Sequence, residues 1–316
     1  MAENAEGEGV YQDPLTGQSL MTSPTTARRR VIGLVAGDPA GVGPELLAHA
    51  LAHPPGKIDF RVIGDPAPRH PGRPDRRGSE MAIAALEEAA SLALSGAIDA
   101  IVTGPVSKKG LHEAGFAFPG QTEFFAARAQ VHNFAMLLTG GPLTVALVTA
   151  HVPLKEVAGS LSTEEIVRVG GLLSDHLLRR GITAPRIAVA GLNPHAGEQG
   201  DLGTEEEEII SPALSPLAAA NPKSFFAGPF SPDTIFWRAA EGEFDGVLCM
   251  YHDQGLIPLK LIAFHEGVNV TLGLPFVRTS PDHGTAYELA GSGRVRPDSF
   301  LSAVNLAAQL VTGTTR

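Results

Sequence analysis

Short apolar runs rich in β-branched residues alternate with amphipathic stretches along the chain from Val31 onward. This alternation predicts an α/β protein with a mainly parallel sheet and crossover helices. Predicted strands cover residues 31–36, 60–65, 99–104, 134–140, 143–150, 186–191, 225–228 and 245–251. Predicted helices cover residues 44–51, 79–97, 163–180, 204–220, 231–241 and 298–312. The strand at 143–150 directly follows Gly140-Gly141-Pro142, so we expect a hairpin with the strand before it.

Two segments lack these periodic patterns. Residues 1–28 are polar, aperiodic and rich in Gly, Ser and Thr. We predict a disordered tail there, because so few apolar residues do not offset the entropy of ordering. Residues 65–78 contain four prolines and four arginines, which predicts a surface connection rather than a helix or strand.

The composition narrows the classes of binding partner and the cellular compartment that we expect for the protein. The chain has 316 residues, with 24 Lys and Arg against 34 Asp and Glu, and its net charge of −10 disfavours nucleic acid as a partner. Cys249 is the single cysteine and lies in an apolar run, so we interpret it as a small buried hydrophobe in a reducing cytoplasm. The sequence shows neither an apolar stretch of membrane-spanning length nor a secretory signal, which also favours a cytoplasmic protein without a membrane partner.

Candidate ligand-binding loops follow the predicted strands, because open α/β sheets bind ligands at the carboxyl ends of their strands. Residues 37–45 form a glycine-rich turn (GDPAGVGPE) that leads into a helix. The turn lacks the third glycine of the dinucleotide-binding fingerprint, so a tight turn and a ligand loop are equally good interpretations. In residues 103–109 and 119–125, lysines and a helix starting at Thr122 are suited to a carboxylate or phosphate. A capped helix with solvated lysines is the alternative.

Three histidines each stand where a predicted strand gives way to a loop: His151, His195 and His252. Any one of them alone would more often be structural than a metal ligand. Three imidazoles at three strand ends fit a divalent metal site with open coordination positions, although their spacing matches no local metal motif. Zinc, cobalt and magnesium all stay open as the ion.

Lys260, Asn269 and Arg278 are spaced nine residues apart in the chain. They span a glycine-rich stretch that ends in Asp282-His283-Gly284-Thr285. An arginine fork and a lysine charge beside a metal are suited to an anionic substrate.

Together these motifs resemble the PdxA family, the 4-hydroxythreonine-4-phosphate dehydrogenases of pyridoxal phosphate biosynthesis. The resemblance runs from about Val31 to the C-terminus and rests on the segments GDPAGVGPE, TGPVSKKG, FPGQTEFFA, GLNPHAGE, MYHDQGLIPLK, GVNVTLGLPFVRTSPDHGTA and ELAG. It implies two α/β/α domains flanking a cleft, as in isocitrate and isopropylmalate dehydrogenases. The first domain would comprise residues 29–130 and 280–316, and the second, with the dimer interface, residues 131–279.

The resemblance also implies a reaction. A 4-phosphooxy-L-threonine substrate would be oxidised by NAD, bound without a Rossmann fingerprint, and decarboxylated to 3-amino-2-oxopropyl phosphate, with NADP left open as the cofactor. A homodimer would share each metal site, with two histidines from one chain and the third from the other. The family's metal ligands fall on His151, His195 and His252. Its substrate residues fall on Thr122, Lys260, Asn269 and Arg278.

Individual roles are expected within this site. Lys260 would stabilise charge or carry a proton, and Asp253 would act as a base or orient its neighbour His252. Cofactor binding is expected at Asn193, Asp282, His283 and Gly284. Gln121 departs from the family, which usually has histidine there; a neutral amide still binds substrate through hydrogen bonds but carries no charge.

Three other functions stay open from the sequence. Gln121 keeps open a dehydrogenase of 4-phospho-threonate or 4-phospho-erythronate in sugar-acid catabolism. A phosphate acyltransferase would share the two-domain fold without needing three histidines around a metal. A regulatory protein that binds a metal or nucleotide on the same scaffold would not turn over NAD.

Overall fold

The computed structural model describes residues 28–56 and 58–313, together with two short strands near the N-terminus, β1 (Tyr11–Gln12) and β2 (Ser19–Leu20). These two strands pair in antiparallel orientation. Apart from them and Arg28, the tail predicted over residues 1–28 lies outside the described residues, so its disorder stays a prediction.

A ten-stranded sheet organises the chain. Its strands are β3 (Arg30–Val35), β4 (Ile58–Ile63), β5 (Ala100–Thr103), β6 (Ala135–Gly140), β7 (Leu143–Leu147), β8 (Arg186–Ala190), β9 (Phe225–Phe230), β10 (Gly246–Cys249), β11 (Val268–Leu272) and β12 (Val277–Pro281). They lie in the order β4-β3-β5-β12-β11-β6-β7-β10-β8-β9. The neighbours β4, β3, β5 and β12 are parallel to one another, and so are β7, β10, β8 and β9. Between these two groups, β11 and β6 are antiparallel to both of their neighbours.

Ten α-helices accompany the sheet in the described chain. They are α1 (Gly43–Ala52), α2 (Arg76–Leu94), α3 (Lys108–Glu113), α4 (Gln121–Arg128), α5 (Leu154–Ser160), α6 (Thr163–Arg179), α7 (Ser211–Ala220), α8 (Pro232–Ala240), α9 (His252–Ala263) and α10 (Asp298–Thr312). A π-helical turn, Glu206–Ile210, leads into α7.

Most predicted elements are confirmed, including the hairpin, which β6 and β7 form. The helix predicted over 79–97 begins earlier, at Arg76, because the Asp75 carboxylate accepts a hydrogen bond from Gly78 N at 2.6 Å and caps the helix. The end of the predicted 65–78 connection is therefore helical. The sequence prediction missed β11 and β12 within the glycine-rich stretch.

The two faces of the sheet are covered differently. On one face a continuous hydrophobic core lies under α1, α10, α6 and α7. On the other face, one core lies under α2 and α4 and a second, separate core lies under α8 and α9. Between these two cores, β11 directs Val268 and Val270 into the continuous core and hence Asn269 and Thr271 to the opposite face. Polar residues therefore form the floor of a cleft between the two helix layers.

None of the described helices is long and apolar enough to cross a membrane. Cys249 is fully buried, as predicted, and burial raises the pKa of its thiol. The domain division at residues 29–130 plus 280–316 and 131–279 stays a prediction; the sheet and one core run across it without a break.

Candidate active site

The cleft has a volume of about 320 Å³ and combines residues from the central strands of the sheet and the segments that follow them. Strands β6, β11 and β12 contribute floor residues, and the loops after β5, β7 and β12, together with α4 and α9, contribute walls. Most of the residues predicted for the site line it: Gln121, Thr122, His151, His252, Lys260, Asn269, Arg278, Asp282, His283 and Gly284. Asp253, Asn193 and His195 do not.

Arg278 is a buried cation in the floor of the cleft, with only 3% of its surface exposed. Its Nη2 donates hydrogen bonds to Thr103 Oγ1 at 2.8 Å and Gln121 Oε1 at 3.1 Å, and its Nη1 donates to Thr271 Oγ1 at 3.2 Å. Its Nε has no partner, and no ion pair joins it to a described carboxylate. Burial lowers the pKa of Arg278 to about 10, so it stays charged at neutral pH. Among the described residues, all its hydrogen-bond partners are neutral, and Glu123 is the one carboxylate whose charge acts on it, so this buried cation is suited to an anionic ligand.

Gln121 and Thr122 form the first turn of α4, which points into the cleft. The Gln121 amide oxygen is engaged by Arg278, and its nitrogen lies 3.5 Å from Gly104 O. Thr122 Oγ1 lies 3.4 Å from Thr271 Oγ1. Both side chains are therefore held by polar contacts within the chain, and neither carries a charge.

Two further residues present buried polar atoms without hydrogen-bond partners, Asn269 Oδ1 and His283 Nε2. The His283 ring is held by its Nδ1, which lies 3.0 Å from Gly284 O. A Cβ added at Gly284 would meet no atom within 4 Å, so packing does not require a glycine there. Because buried polar groups are normally paired, these atoms indicate a ligand, and Gly284 leaves room for it against the backbone.

Lys260 and Asp282 meet across the cleft. Lys260 Nζ on α9 lies 3.0 Å from Asp282 Oδ2 in the loop after β12. Asp282 is fixed at its backbone, where its N donates to Ser299 Oγ at 3.1 Å. A residue predicted to be catalytic and one predicted to bind the cofactor are thus joined by an ion pair.

His151, after β7, and His252, at the start of α9, lie together with their ring centroids 5.7 Å apart. His252 Nδ1 lies 2.7 Å from Asp253 Oδ1, which leaves Nε2 for another ligand. This contact is the geometry of an orienting carboxylate. Desolvation and the nearby charge of Lys108 lower the pKa of His151, which favours the neutral, metal-binding form of the imidazole.

His195 lies apart from these two histidines. It is exposed in the turn Pro194–Gly200 after β8, where it has a left-handed backbone with φ of 52°. Among the described residues, no group of three His, Cys, Asp or Glu is close enough to hold a metal. One chain therefore brings together His151 and His252 but not His195.

Asn193 precedes the same turn and is engaged within the chain. Its Nδ2 donates to Glu205 Oε2 at 2.7 Å and to Glu206 Oε2 at 2.9 Å. Glu206 is itself 2% exposed and accepts hydrogen bonds from the backbone N of Leu192 and Asn193. This buried carboxylate holds the turn that presents His195.

Thr103, Lys108 and Glu123 also line the cleft; the sequence suggested an anion-binding role for the lysines of residues 103–109 but none for Thr103 or Glu123. Thr103 ends β5 and accepts a hydrogen bond from Arg278. Lys108 and Glu123 lie in the two segments whose lysines and helix start suited an anion. The position of residues 103–109 after a strand was the signal, but taken alone a capped helix with solvated lysines was the better interpretation.

A sequence model of the family described as pyridoxal phosphate biosynthetic protein PdxA matches residues 35–307. The chain belongs to the PdxA family. The 4-hydroxythreonine-4-phosphate dehydrogenase of Caulobacter vibrioides is 42% identical, over 89% of this chain and 97% of that protein. The D-threonate 4-phosphate dehydrogenase of Pectobacterium atrosepticum is 36% identical, over 89% of this chain and 99% of that protein.

Solved structures agree with this family assignment. A crystal structure of 4-hydroxythreonine-4-phosphate dehydrogenase from Klebsiella pneumoniae is 36% identical to this PdxA-family chain, with a TM-score of 0.76 over 89% of this chain and 99% of that one. A β-decarboxylating dehydrogenase from Thermococcus kodakarensis shares the fold, at 15% identity and a TM-score of 0.52 over 90% of this chain and 84% of that one. The predicted family and fold class are confirmed, and the chain is an enzyme, a dehydrogenase.

Proposed function

We propose that this PdxA-family dehydrogenase oxidises 4-phosphooxy-L-threonine with NAD and a divalent metal, and that decarboxylation then gives 3-amino-2-oxopropyl phosphate. The observation that carries the proposal is the set of unsatisfied buried polar groups in the cleft. Arg278 has no described carboxylate partner, and Asn269 and His283 each have a buried atom without a partner. A small ligand with several anionic oxygens satisfies such groups. The Caulobacter relative carries the name of an enzyme for this substrate.

The residues of the cleft divide into binding and proton-handling groups. Substrate oxygens would bind to Gln121, Thr122, Asn269 and Arg278. Lys260, held beside Asp282, is an ammonium suited to donate the proton that replaces carbon dioxide on the substrate carbon. When bound at Asp282, His283 and Gly284, NAD or NADP would accept hydride, while a divalent metal would act as a Lewis acid at the substrate oxygen.

His151 and His252 fit part of such a metal site. Two imidazoles, one of them oriented by Asp253, favour zinc or cobalt over magnesium, which prefers oxygen ligands. Since His195 lies apart in the same chain, the third imidazole would come from His195 of a second copy.

The surface of α9 supports a homodimer. Ile257, Leu261 and Phe264 are 65%, 85% and 68% exposed and follow one another at the four- and three-residue spacing of one helix face. The neighbouring helix α8 exposes Trp237. An apolar face of this kind marks an interface, and α9 also begins at the proposed metal ligand His252. A second copy packed on α9 would therefore lie beside the site.

Replacing Leu261 with glutamate is expected to convert the dimer to a monomer, because a charge in the centre of an apolar interface is left desolvated and unpaired. Light scattering during gel filtration measures the mass. Leu94→Glu is the matched control, since Leu94 is an exposed leucine at the end of α2, and it should leave the mass unchanged. A Leu261→Glu protein with the wild-type mass would contradict the α9 interface.

Gln121 favours a second candidate substrate, a 4-phospho-threonate or 4-phospho-erythronate. The neutral amide is held by Arg278 and replaces a histidine that the family usually has. The Pectobacterium relative carries the name of a D-threonate 4-phosphate dehydrogenase. The two candidates share the chemistry and differ in the group next to the reacting carbons.

A panel of phosphorylated hydroxy acids, assayed for NADH formation with added divalent metals, tests the proposal. We expect 4-phosphooxy-L-threonine to give the highest kcat/KM and a chelator to abolish the reaction. A higher value for 4-phospho-threonate or 4-phospho-erythronate would favour the second candidate. No NADH from any of these substrates, or metal-independent acyl transfer to phosphate, would contradict both.

A further inference from the structure

The glycine-rich loop of residues 37–45 and the segment of residues 285–291 are joined at three points, which we call the anchor. The contacts are Tyr287 hydroxyl to Asp38 Oδ2 at 2.5 Å, Val42 N to Thr285 O at 3.0 Å, and Gly291 N to Glu45 Oε1 at 2.5 Å. The loop therefore uses one carboxylate at each end and one backbone group between them.

The loop is shaped for this contact. Asp38 is 2% exposed, and its other oxygen accepts a hydrogen bond from Ala40 N at 2.9 Å, which fixes the carboxylate. A Cβ at Gly41 would lie 2.8 Å from Thr285 O, so a larger residue would push the two segments apart. Burial, together with the bond to Asp38, raises the pKa of Tyr287 to about 12, so its hydroxyl remains a donor at neutral pH.

The anchored segment continues directly from the residues of the cleft. His283 and Gly284 line the cleft and are followed at once by Thr285. On their other side, Asp282 N is held by Ser299 Oγ. His283 and Gly284 thus lie between two fixed points, and the anchor supplies the one on the C-terminal side.

We propose that Asp38 and Tyr287 are positioning residues for the cofactor, because the anchor holds His283 and Gly284 where a nicotinamide dinucleotide binds. This rests on the proposed function, in which NAD occupies residues 282–284. Neither Asp38 nor Tyr287 lines the cleft, so both act through the segment and not by contact with a ligand. The glycine-rich loop thereby has a role in cofactor binding without being a dinucleotide fingerprint.

Tyr287→Phe tests the proposal, since it removes the hydroxyl and keeps the ring. We expect the Kd for NADH, measured by fluorescence titration without substrate, to rise about tenfold, equivalent to about 1.4 kcal/mol. The KM for NAD should rise similarly, while the substrate KM and kcat at saturating NAD change less than about twofold, because the substrate residues are fixed by other contacts. Asp38→Asn should weaken NADH binding in the same direction, since a neutral oxygen is a weaker acceptor.

Ser292→Ala is the control. Ser292 Oγ donates to Leu289 O at 2.6 Å in the same region but makes no anchor contact, so NADH affinity should stay at the wild-type value. Unchanged NADH affinity in both Tyr287→Phe and Asp38→Asn would overturn the anchor proposal and leave the proposed function intact. Equal losses for NADH and substrate that follow a lower Tm would show a general structural role and would also overturn it. Failure of the wild-type protein to bind NADH would instead remove the cofactor from the proposed function, and the anchor's role with it.

Discussion

Mixing His195→Ala chains with His252→Ala chains is expected to restore activity that neither variant has alone. In the proposed homodimer with shared metal sites, each dimer of a single variant would lack one imidazole at both sites. In a mixed dimer, one site would combine His151 and His252 of one chain with His195 of the other and would be complete. Random pairing of equal amounts makes half the dimers mixed, each with one complete site, so recovery should approach about one quarter of wild-type activity. The rate of NADH formation after subunit exchange, with mixed dimers verified by native mass spectrometry, measures the recovery.

The matched control is a mixture of His151→Ala and His252→Ala chains. These histidines lie together in one chain, with their rings 5.7 Å apart, so a mixed dimer of these variants has no complete site. Recovery in the first mixture and none in the second identifies which histidine crosses the interface. Verified mixed dimers without recovery in the first mixture would place the whole metal site within one chain or remove His195 from it.

Much of the fold follows from the apolar runs, because strands buried on both faces are nearly continuous apolar segments. β11 is different, since its residues alternate: Val268 and Val270 enter the core, while Asn269 and Thr271 point to the opposite face, where Asn269 lines the cleft. That alternation is the pattern of a half-buried strand and was readable in the sequence. Its short length and the surrounding glycines hid it, and the antiparallel pairing of β11 with β6 and β12 was missed with it.

The candidate site was predictable where it depends on strand ends and unpredictable where it depends on pairing across the sheet. His151 and His252 follow β7 and β10, which are adjacent and parallel, so the loop after β7 and the start of α9 meet at one edge. His195 follows β8, next to β10 on the other side, yet the left-handed turn held by Glu206 carries it away from both. The spacing of the histidines does not encode such a turn, because its shape depends on the buried Glu206 carboxylate, which folds back from the next element of the chain.

Arg278→Ala is expected to lower kcat/KM for the phosphorylated substrate by about 10- to 100-fold, since charge-assisted hydrogen bonds contribute about 1.5–3 kcal/mol. Arg278→Lys should recover part of the loss, because a point charge does not reproduce the bidentate fork. The KM for NAD should change little, since Arg278 lies in the floor with Thr103, Gln121 and Thr271. Steady-state kinetics with both ligands varied separate these effects.

Removing the Arg278 charge is expected to lower activity but to raise the stability of the enzyme without substrate. Burial lowers the pKa of Arg278 to about 10, so at every pH below that value the side chain stays charged in the folded protein and lowers its stability relative to the unfolded chain. Arg278→Met fills the same space without charge and is expected to raise the free energy of unfolding by about 1–3 kcal/mol, as replacements of buried charges by apolar residues often do. Denaturant unfolding without substrate at neutral pH measures the gain.

A role for Arg278 outside substrate binding predicts neither result. If it were a surface residue paired with Asp282, its loss would change stability by at most about 1 kcal/mol and leave kinetics intact. The contacts oppose that role, because Asp282 is paired with Lys260 at 3.0 Å and Arg278 is 3% exposed among neutral oxygens. A substitution that lowers stability and leaves kcat/KM unchanged would remove Arg278 from the site. A gain in stability with a loss of activity would instead show that the enzyme retains a destabilising buried charge because an anionic substrate supplies its partner.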